Sequence, residues 1–71
     1  MTEIKSPIAG NVWKILVKVG DAVEEDDEVA ILESMKMEIP IESPDDGTIS
    51  EIRVEEGAAV QLGAVLIVLD D

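Results

Sequence analysis

The chain has 71 residues, with 17 acidic and 5 basic side chains and a formal net charge of −12. This length allows one domain with one small core. Because cysteine and histidine are both absent, the composition excludes disulfides, thiolate metal sites and histidine-dependent catalysis. The acidic surface disfavours nucleic acid and anionic membranes as partners. No apolar run approaches the ~20 residues of a membrane span, and the first five residues lack the basic-then-apolar order expected of a signal peptide. We therefore expect a cytoplasmic protein without catalytic activity of its own.

The first half of the chain predicts two kinds of strand. Ile15 and Val17 alternate with polar or exposed positions, which is the period of a half-buried strand. Residues 29–32 are continuously apolar, as expected for a strand covered on both faces. Between them, the acidic run 24–28 lacks the alternating ligand spacing of an EF-hand loop. We interpret this run as a solvated loop and not as a calcium site.

The middle of the chain predicts a reversal between two strands. The apolar strand ends near Leu32 and Glu33, and a second extended stretch runs from Met37 to Glu42. The segment from Ser34 to Met37 is therefore expected to form the turn.

The second half repeats the first at an ungapped offset of 37 residues, which brings Ser6-Pro7 onto Ser43-Pro44. Glycines and apolar residues match in the same frame: Gly10 with Gly47, Gly20 with Gly57, Val12 with Ile49, Ile15 with Ile52, Val17 with Val54, Val23 with Val60, and Val29 with Leu66. We expect the four matched glycines to lie in turns between strands, where positive φ is needed.

This pattern predicts an all-β fold in a single domain over residues 1–71, built from two repeats at about 6–33 and 43–70. Two such units packed face to face can share one core. The expected architecture is a flattened antiparallel β-barrel or sandwich of seven or eight short strands. A pseudo-twofold axis should relate its halves, as in a barrel-sandwich hybrid.

Lys36 is the candidate functional residue, and it has no counterpart in the second repeat. A lone lysine at a turn is ordinarily a surface charge, and nearby methionines are ordinarily core residues. A hairpin tip, however, holds a side chain clear of the fold while two strands fix its position. Apolar Met35 and Met37 at such a tip would suggest contact with a partner. The spacing alone leaves a surface charge and a modified lysine both open.

The segment Glu33-Ser34-Met35-Lys36-Met37 resembles the Glu-Ala-Met-Lys-Met signature of biotinyl domains, the biotin carboxyl carrier family. The similarity covers essentially the whole chain through Ser6-Pro7, Gly10, Gly20-Asp21, Val23, Gly47, Gly57 and Gly63. The resemblance implies that Lys36 receives biotin through an amide. It also implies that a biotin protein ligase selects this lysine through its flanking residues, which are Glu33, Ser34, Met35 and Met37.

The same resemblance implies a carrier that is monomeric in isolation. It would shuttle a carboxyl group between the biotin carboxylase and the carboxyltransferase of a biotin-dependent carboxylase. The lysine would be passive, because nothing in the sequence, including the flanking Glu33 and Glu38, activates its amine. The ligase would then supply both the deprotonation and the activated acyl donor.

The sequence departs from the family pattern in three ways. Ser34 replaces the usual alanine, a change that should leave the turn intact. Asp26 stands where the second repeat has Gly63, and we expect it to keep the same turn in the left-handed region with some strain. No insertion follows Lys18, so the protruding thumb of some bacterial carriers is absent.

Three alternative interpretations of the chain's function remain. A lipoyl domain has the same fold and also modifies a hairpin lysine, although its signature usually reads Asp-Lys-Ala without methionine on both sides. An unmodified scaffolding module would keep the fold alone. An independent enzyme is disfavoured, since no nucleophile stands beside a base.

Overall fold

Eight β-strands and no helix form the protein, whose computed structural model covers residues 1–71. The strands in chain order are β1 (Thr2–Lys5), β2 (Gly10–Ile15), β3 (Ala22–Val23), β4 (Glu28–Ser34), β5 (Met37–Glu42), β6 (Gly47–Ile52), β7 (Ala59–Val60) and β8 (Val65–Asp70). They form two antiparallel sheets of four strands, ordered β1-β8-β6-β3 and β5-β4-β2-β7. The predicted all-β sandwich is confirmed. With no helix present, none is available to span a membrane.

The two halves of the chain follow the same path and interlock. Adding 37 to a residue number carries β2, β3 and β4 onto β6, β7 and β8, and each sheet takes two strands from each half. The 14 backbone hydrogen bonds outside the strands fall into seven pairs with the same offset. For example, the Gly20 N–H donates to the Ile49 carbonyl at 2.8 Å, and the Gly57 N–H donates to the Val12 carbonyl at 2.7 Å. Neither half therefore has a complete sheet by itself.

The core lies between the two sheets and draws on both halves. Four consecutive residues of β8, from Leu66 to Leu69, are buried, as predicted for a strand covered on both faces. In β4 the equivalent residues 29–32 are buried except Ile31, which is half-buried. The buried hydrophobic cluster comprises Ile4, Val12, Val23, Val29, Ala30, Leu32, Ile41, Ile49, Val60, Leu66, Ile67 and Leu69.

The strand that was expected to reach Val17 ends earlier. β2 ends at Ile15 and β6 ends at Ile52, and each carries a register shift, at Trp13 and Ser50 respectively. Val17 and its counterpart Val54 lie beyond these strands, half-buried against the core. The alternation predicted correctly that these side chains face inward. The alternation wrongly placed Val17 and Val54 within strands, because β2 and β6 end two residues before them.

The four glycines matched between the repeats serve two purposes, and only one was predicted. Gly20 and Gly57 adopt positive φ in turns, as expected. Gly10 and Gly47 do not lie between strands but begin β2 and β6. A Cβ atom at Gly10 would lie 2.7 Å from the carbonyl oxygen of Glu33, and one at Gly47 would lie 2.7 Å from the Asp70 carbonyl oxygen. These two positions require glycine because a neighbouring strand passes too close for any side chain.

The acidic run forms a hydrogen-bonded turn. Asp26 has φ 73° and Gly63 has φ 87°, so the aspartate keeps the predicted left-handed conformation of its glycine counterpart. The Asp27 carboxylate accepts a hydrogen bond from the Glu24 N–H at 2.9 Å. The Asp46 carboxylate accepts one from the Glu25 N–H at 2.7 Å. No group of three or more acidic side chains in the structure is arranged to hold a metal ion.

The first and last strands lie opposite the β4–β5 turn. The offset relates the pair Leu32 and Ile39 in that hairpin to the pair Leu69 and Thr2 in β8 and β1. The two strand pairs therefore occupy equivalent ends of a molecule that measures 32 × 18 × 18 Å. At the terminal end, a hydrogen bond from the Thr2 hydroxyl and the nearby ammonium group of Met1 lower the pKa of the Asp71 carboxyl.

We predict that Gly10→Ala and Gly47→Ala each lower the free energy of unfolding by about 1–3 kcal/mol, since the added methyl must displace backbone. Chemical denaturation of each variant measures the loss. Asn11→Ala, an exposed change beside Gly10, is the control and should stay within about 0.5 kcal/mol of wild type. Equal stabilities for all three variants would contradict the close strand approach.

Candidate functional site: the turn between β4 and β5

The reversal between β4 and β5 is a two-residue turn at Met35 and Lys36. The last cross-strand pair is Ser34 with Met37, so the predicted position of the turn is confirmed. Met35 has φ 52° and Lys36 has φ 65°. Positive φ at both central residues is the requirement of a type I′ turn, which normally favours Asn-Gly. Two non-glycine residues are therefore held in a conformation that costs each of them roughly 1–2 kcal/mol.

The turn projects its side chains into solvent. Met35 is 92% exposed and Met37 is 65% exposed, which reverses the ordinary preference of methionine for the core. Lys36 is also exposed, and none of the three ion pairs in the structure involves it. The amine is thus free to enter another protein's active site. Nothing in the fold has to move to release it.

The strands below the turn fix its position. Glu33 in β4 pairs with Asn11 in β2 on one side and with Glu38 in β5 on the other. Gly10 allows the chain to pass close beneath Ser34, whose Cβ would lie 3.3 Å from a Cβ at residue 10. The half-buried Ser34 is the small residue in this contact. These contacts hold the base of the turn while its tip remains free.

The geometry suits presentation and not binding within a pocket. The tip is convex, and the structure's one cavity, of about 320 Å³, lies elsewhere, between the edge strands β1 and β5. The side chains brought together at the tip are Met35, Lys36 and Met37, with the carboxylates of Glu33 and Glu38 on the first strand pair below. Such a site offers an amine to other enzymes but assembles no catalytic groups of its own.

The fold and the turn together define a carrier domain. The family model described as "Biotin-requiring enzyme" (Biotin_lipoyl) matches residues 2–69. The chain belongs to this biotin/lipoyl attachment family, whose domains are non-catalytic carriers. The predicted family and the absence of an independent catalytic role are therefore confirmed by the match.

Similar curated proteins include both biotin and lipoyl carriers. A biotin/lipoyl attachment protein of Bacillus subtilis is 52% identical over 90% of this chain and 88% of its own length. A biotin carboxyl carrier protein of Streptococcus mutans is 44% identical over 90% of this chain. The dihydrolipoyllysine-residue acetyltransferase component of the pyruvate dehydrogenase complex of Staphylococcus aureus is 41% identical over 86% of it. The chain spans 49% and 14% of these last two relatives.

Similar solved structures include a carboxylase and a lipoyl domain. Urea carboxylase of Kluyveromyces lactis matches with a TM-score of 0.92 and 32% identity, covering 97% of this chain and 6% of that one. The lipoyl domain of the 2-oxoglutarate dehydrogenase complex of Azotobacter vinelandii matches with a TM-score of 0.83 and 30% identity, covering 100% and 98%. Part of a carboxylase and a lipoyl domain therefore share this fold.

Two features of the site were missed by sequence reasoning. The sequence indicated a reversal but not its two-residue length, since Met-Lys lacks the Asn-Gly signal of a type I′ turn. The role of Gly10 beneath Ser34 was also missed. Its match with Gly47 in the repeat was visible, but the close strand approach that explains the match is a tertiary contact.

We predict that Met35→Asn raises the free energy of unfolding by about 0.5–1 kcal/mol, because asparagine tolerates the left-handed region better than methionine. Thermal unfolding monitored by circular dichroism measures the change. Met37→Asn is the matched control: it lies in β5, where asparagine is disfavoured, and should bring no gain. A similar effect from both substitutions would show that the turn at Met35 is unstrained.

Proposed function

We propose that the protein is a biotin carboxyl carrier, with biotin joined through an amide to Nζ of Lys36. The arm would carry a carboxyl group from a biotin carboxylase to a carboxyltransferase. The observation that carries this proposal is the exposed Met35-Lys36-Met37 tip, which offers a free amine between two solvent-facing thioethers. The biotin-requiring family and the carrier protein of Streptococcus mutans support it.

In the attachment step this chain supplies only the amine of Lys36. Nζ of Lys36 attacks the acyl carbon of an activated biotin, a C–N bond forms, the bond to the adenylate breaks, and AMP leaves. The amine gives up its proton to a base of the ligase, since no ion pair of this chain brings a carboxylate to Lys36. Attached biotin supplies a ring nitrogen that accepts and releases a carboxyl group. The carrier contributes a high effective concentration of that ring at each active site.

A lipoyl carrier is the second candidate, favoured by the Staphylococcus aureus relative and the Azotobacter lipoyl domain. The two candidates share the hairpin lysine, so the backbone does not separate them. They differ in the side chains that flank the lysine. The flexible, polarizable thioethers of Met35 and Met37 can fill a pocket on a ligase, and their exposure makes them available to it.

We predict that a biotin protein ligase, with ATP and biotin, adds one biotinyl group per chain, at Lys36. Intact mass and peptide mapping locate it. Lys36→Arg retains the charge but should lose avidin binding completely. Its stability should stay within about 0.5 kcal/mol of wild type, because the side chain is exposed. Biotin found at Lys5, Lys14 or Lys18, or no reaction, would refute the assignment.

The flanking methionines should decide which ligase acts. We predict that the double variant Met35→Asp, Met37→Ala is biotinylated more slowly or becomes a partial substrate of lipoate ligase, since favourable contacts with the biotin ligase are removed. Its fold should survive, because both residues are exposed and aspartate tolerates positive φ. Rates with each ligase on both proteins measure the effect. If lipoate ligase modifies the wild-type chain as fast as biotin ligase does, the choice of biotin is wrong.

A further inference from the structure

The outer faces of the two sheets differ at equivalent positions. In the terminal sheet (β1-β8-β6-β3), Val68 lies between Glu3 and Glu51 in the strand pairing. Arg53 bridges both carboxylates, with Nε 3.2 Å from Glu51 and Nη1 3.8 Å from Glu3. Val68 is only 4% exposed. On this face the two carboxylates beside Val68 are paired with a cation, and the central apolar residue is buried.

The hairpin sheet (β5-β4-β2-β7) lacks that cover. Ile31, the counterpart of Val68, pairs with Pro40 and Lys14 and is half-buried. Leu16 stands where the other half has Arg53, and Trp13 stands where it has Ser50. The four apolar residues Trp13, Leu16, Ile31 and Pro40 form what we call the apolar strip.

The strip is open to solvent. Trp13 is 44% exposed and Leu16 is 47% exposed. The one neighbouring cation, Lys14, lies with Nζ 5.5 Å from the centroid of the Trp13 ring. No carboxylate neutralises it there, as Glu3 and Glu51 neutralise Arg53 on the terminal sheet. Exposed aromatic and aliphatic side chains grouped on one face mark an interaction surface.

Two pairs of carboxylates flank the strip on the same face. Glu33 lies directly opposite Glu38, and Glu28 lies directly opposite Glu42. Glu33 lies two residues from Ile31, and Glu38 and Glu42 lie two residues from Pro40, so these side chains share one face. Glu28 pairs with Glu42 across a register shift between Glu28 and Ala30. The two pairs therefore stand on either side of Ile31 and Pro40. All four carboxylates are exposed and none takes part in an ion pair. Like charges placed directly opposite destabilise a sheet, so this arrangement gains from a partner that brings cations.

We propose that the outer face of the hairpin sheet is a docking surface for the biotin protein ligase. The ligase would meet the apolar strip with apolar side chains and flank that contact with basic groups. This inference rests on the proposed function. The unmodified amine of Lys36 ends a four-carbon stem, so the enzyme that acylates it must bring its body close to the turn. Ile31 lies three residues before Ser34, or about 10 Å along the strand, within the area that such an enzyme covers.

The first test removes the exposed apolar groups. The double variant Trp13→Ser, Leu16→Gln should raise the ligase's KM for the carrier about tenfold, because each anchor contributes to docking and not to acyl transfer. The kcat should stay within about twofold of wild type. Val19→Gln is the control: it removes an exposed apolar side chain beside Gly20, whose N–H bonds to Ile49 of the terminal sheet. Its KM should be unchanged.

The second test uses charge. Glu28→Gln with Glu42→Gln should raise KM several-fold and make KM less sensitive to salt, because rim charges contribute to steering. Glu3→Gln with Glu51→Gln removes the same number of charges from the terminal sheet and should leave KM within about twofold. An equal rise from both pairs would show only an effect of net charge and would overturn the proposal.

The outcomes separate this inference from the function on which it rests. If the wild-type chain is not biotinylated, the proposed function fails. If it is biotinylated and the strip variants, folded by circular dichroism, keep the wild-type KM, the docking surface fails alone. A strip variant that slows only the carboxylase components, or only lipoate ligase, would assign the face to another partner and would likewise overturn the proposal. If the double variant does not fold, the KM values of the single variant Leu16→Gln and of the Glu28→Gln, Glu42→Gln variant test the docking surface instead.

Discussion

The strand exchange between the two repeats is the constraint on which the rest of the structure depends. Each four-stranded sheet contains two strands from each half, and the turn and loop hydrogen bonds occur in pairs across the pseudo-twofold axis. Since a two-stranded hairpin is marginal alone, neither half can bury its apolar strand without the other. A chain of 71 residues thereby assembles one shared core from two small units.

This arrangement also explains why the candidate lysine, Lys36, lies where it does. The pseudo-twofold axis creates two equivalent ends, and at one of them the chain begins and ends in β1 and β8. At the other end lie the equivalent strands β4 and β5, and the Met35-Lys36 turn joins them. The terminal end is tied by its own polar contacts, between Thr2, Met1 and Asp71. The hairpin end has no such ties and is free to carry a strained, solvent-facing pair of residues.

The strain at this turn is tolerated because the strands beneath it determine its position. Six cross-strand pairs join β4 and β5, and β2 holds β4 from the other side through the close approach at Gly10. Residues in sparsely populated conformations persist where the surrounding structure over-determines them, and they cluster at functional sites. A lysine on a more relaxed, longer loop would be equally exposed but less precisely placed. The cost in stability is thus consistent with the proposed role of Lys36, which requires a precisely placed amine.

Much of the fold was predictable from the sequence because each apolar pattern occurs twice, at an offset of 37 residues. The matched apolar positions gave the strands, the sheet class and the pseudo-symmetry, and the unmatched Lys36 gave the candidate site. The ends of β2 and β6 were not predictable, since alternation reports which face a residue such as Val17 occupies but not where hydrogen bonding stops. The need for glycine at positions 10 and 47 was wrongly assigned to turns with positive φ, because the actual cause is also a property of the assembled sheets. A turn with positive φ is a local property, whereas the approach of Glu33 or Asp70 to those glycines arises only when the sheets form.

The repeat also provides an internal comparison that a single sheet would lack. Both outer faces have the same backbone register, so differences between equivalent side chains are not imposed by the fold. On the terminal sheet, Val68 is buried and Arg53 neutralises the two flanking carboxylates. On the hairpin sheet, Leu16 takes the place of that arginine, while opposed carboxylates remain unpaired. The terminal sheet shows that a self-satisfied face is compatible with this backbone, so folding does not require the exposed strip. The exposed face is the one continuous with the β4–β5 turn. Its apolar side chains and unpaired carboxylates would both be satisfied by the proposed docking of a ligase that acts on Lys36.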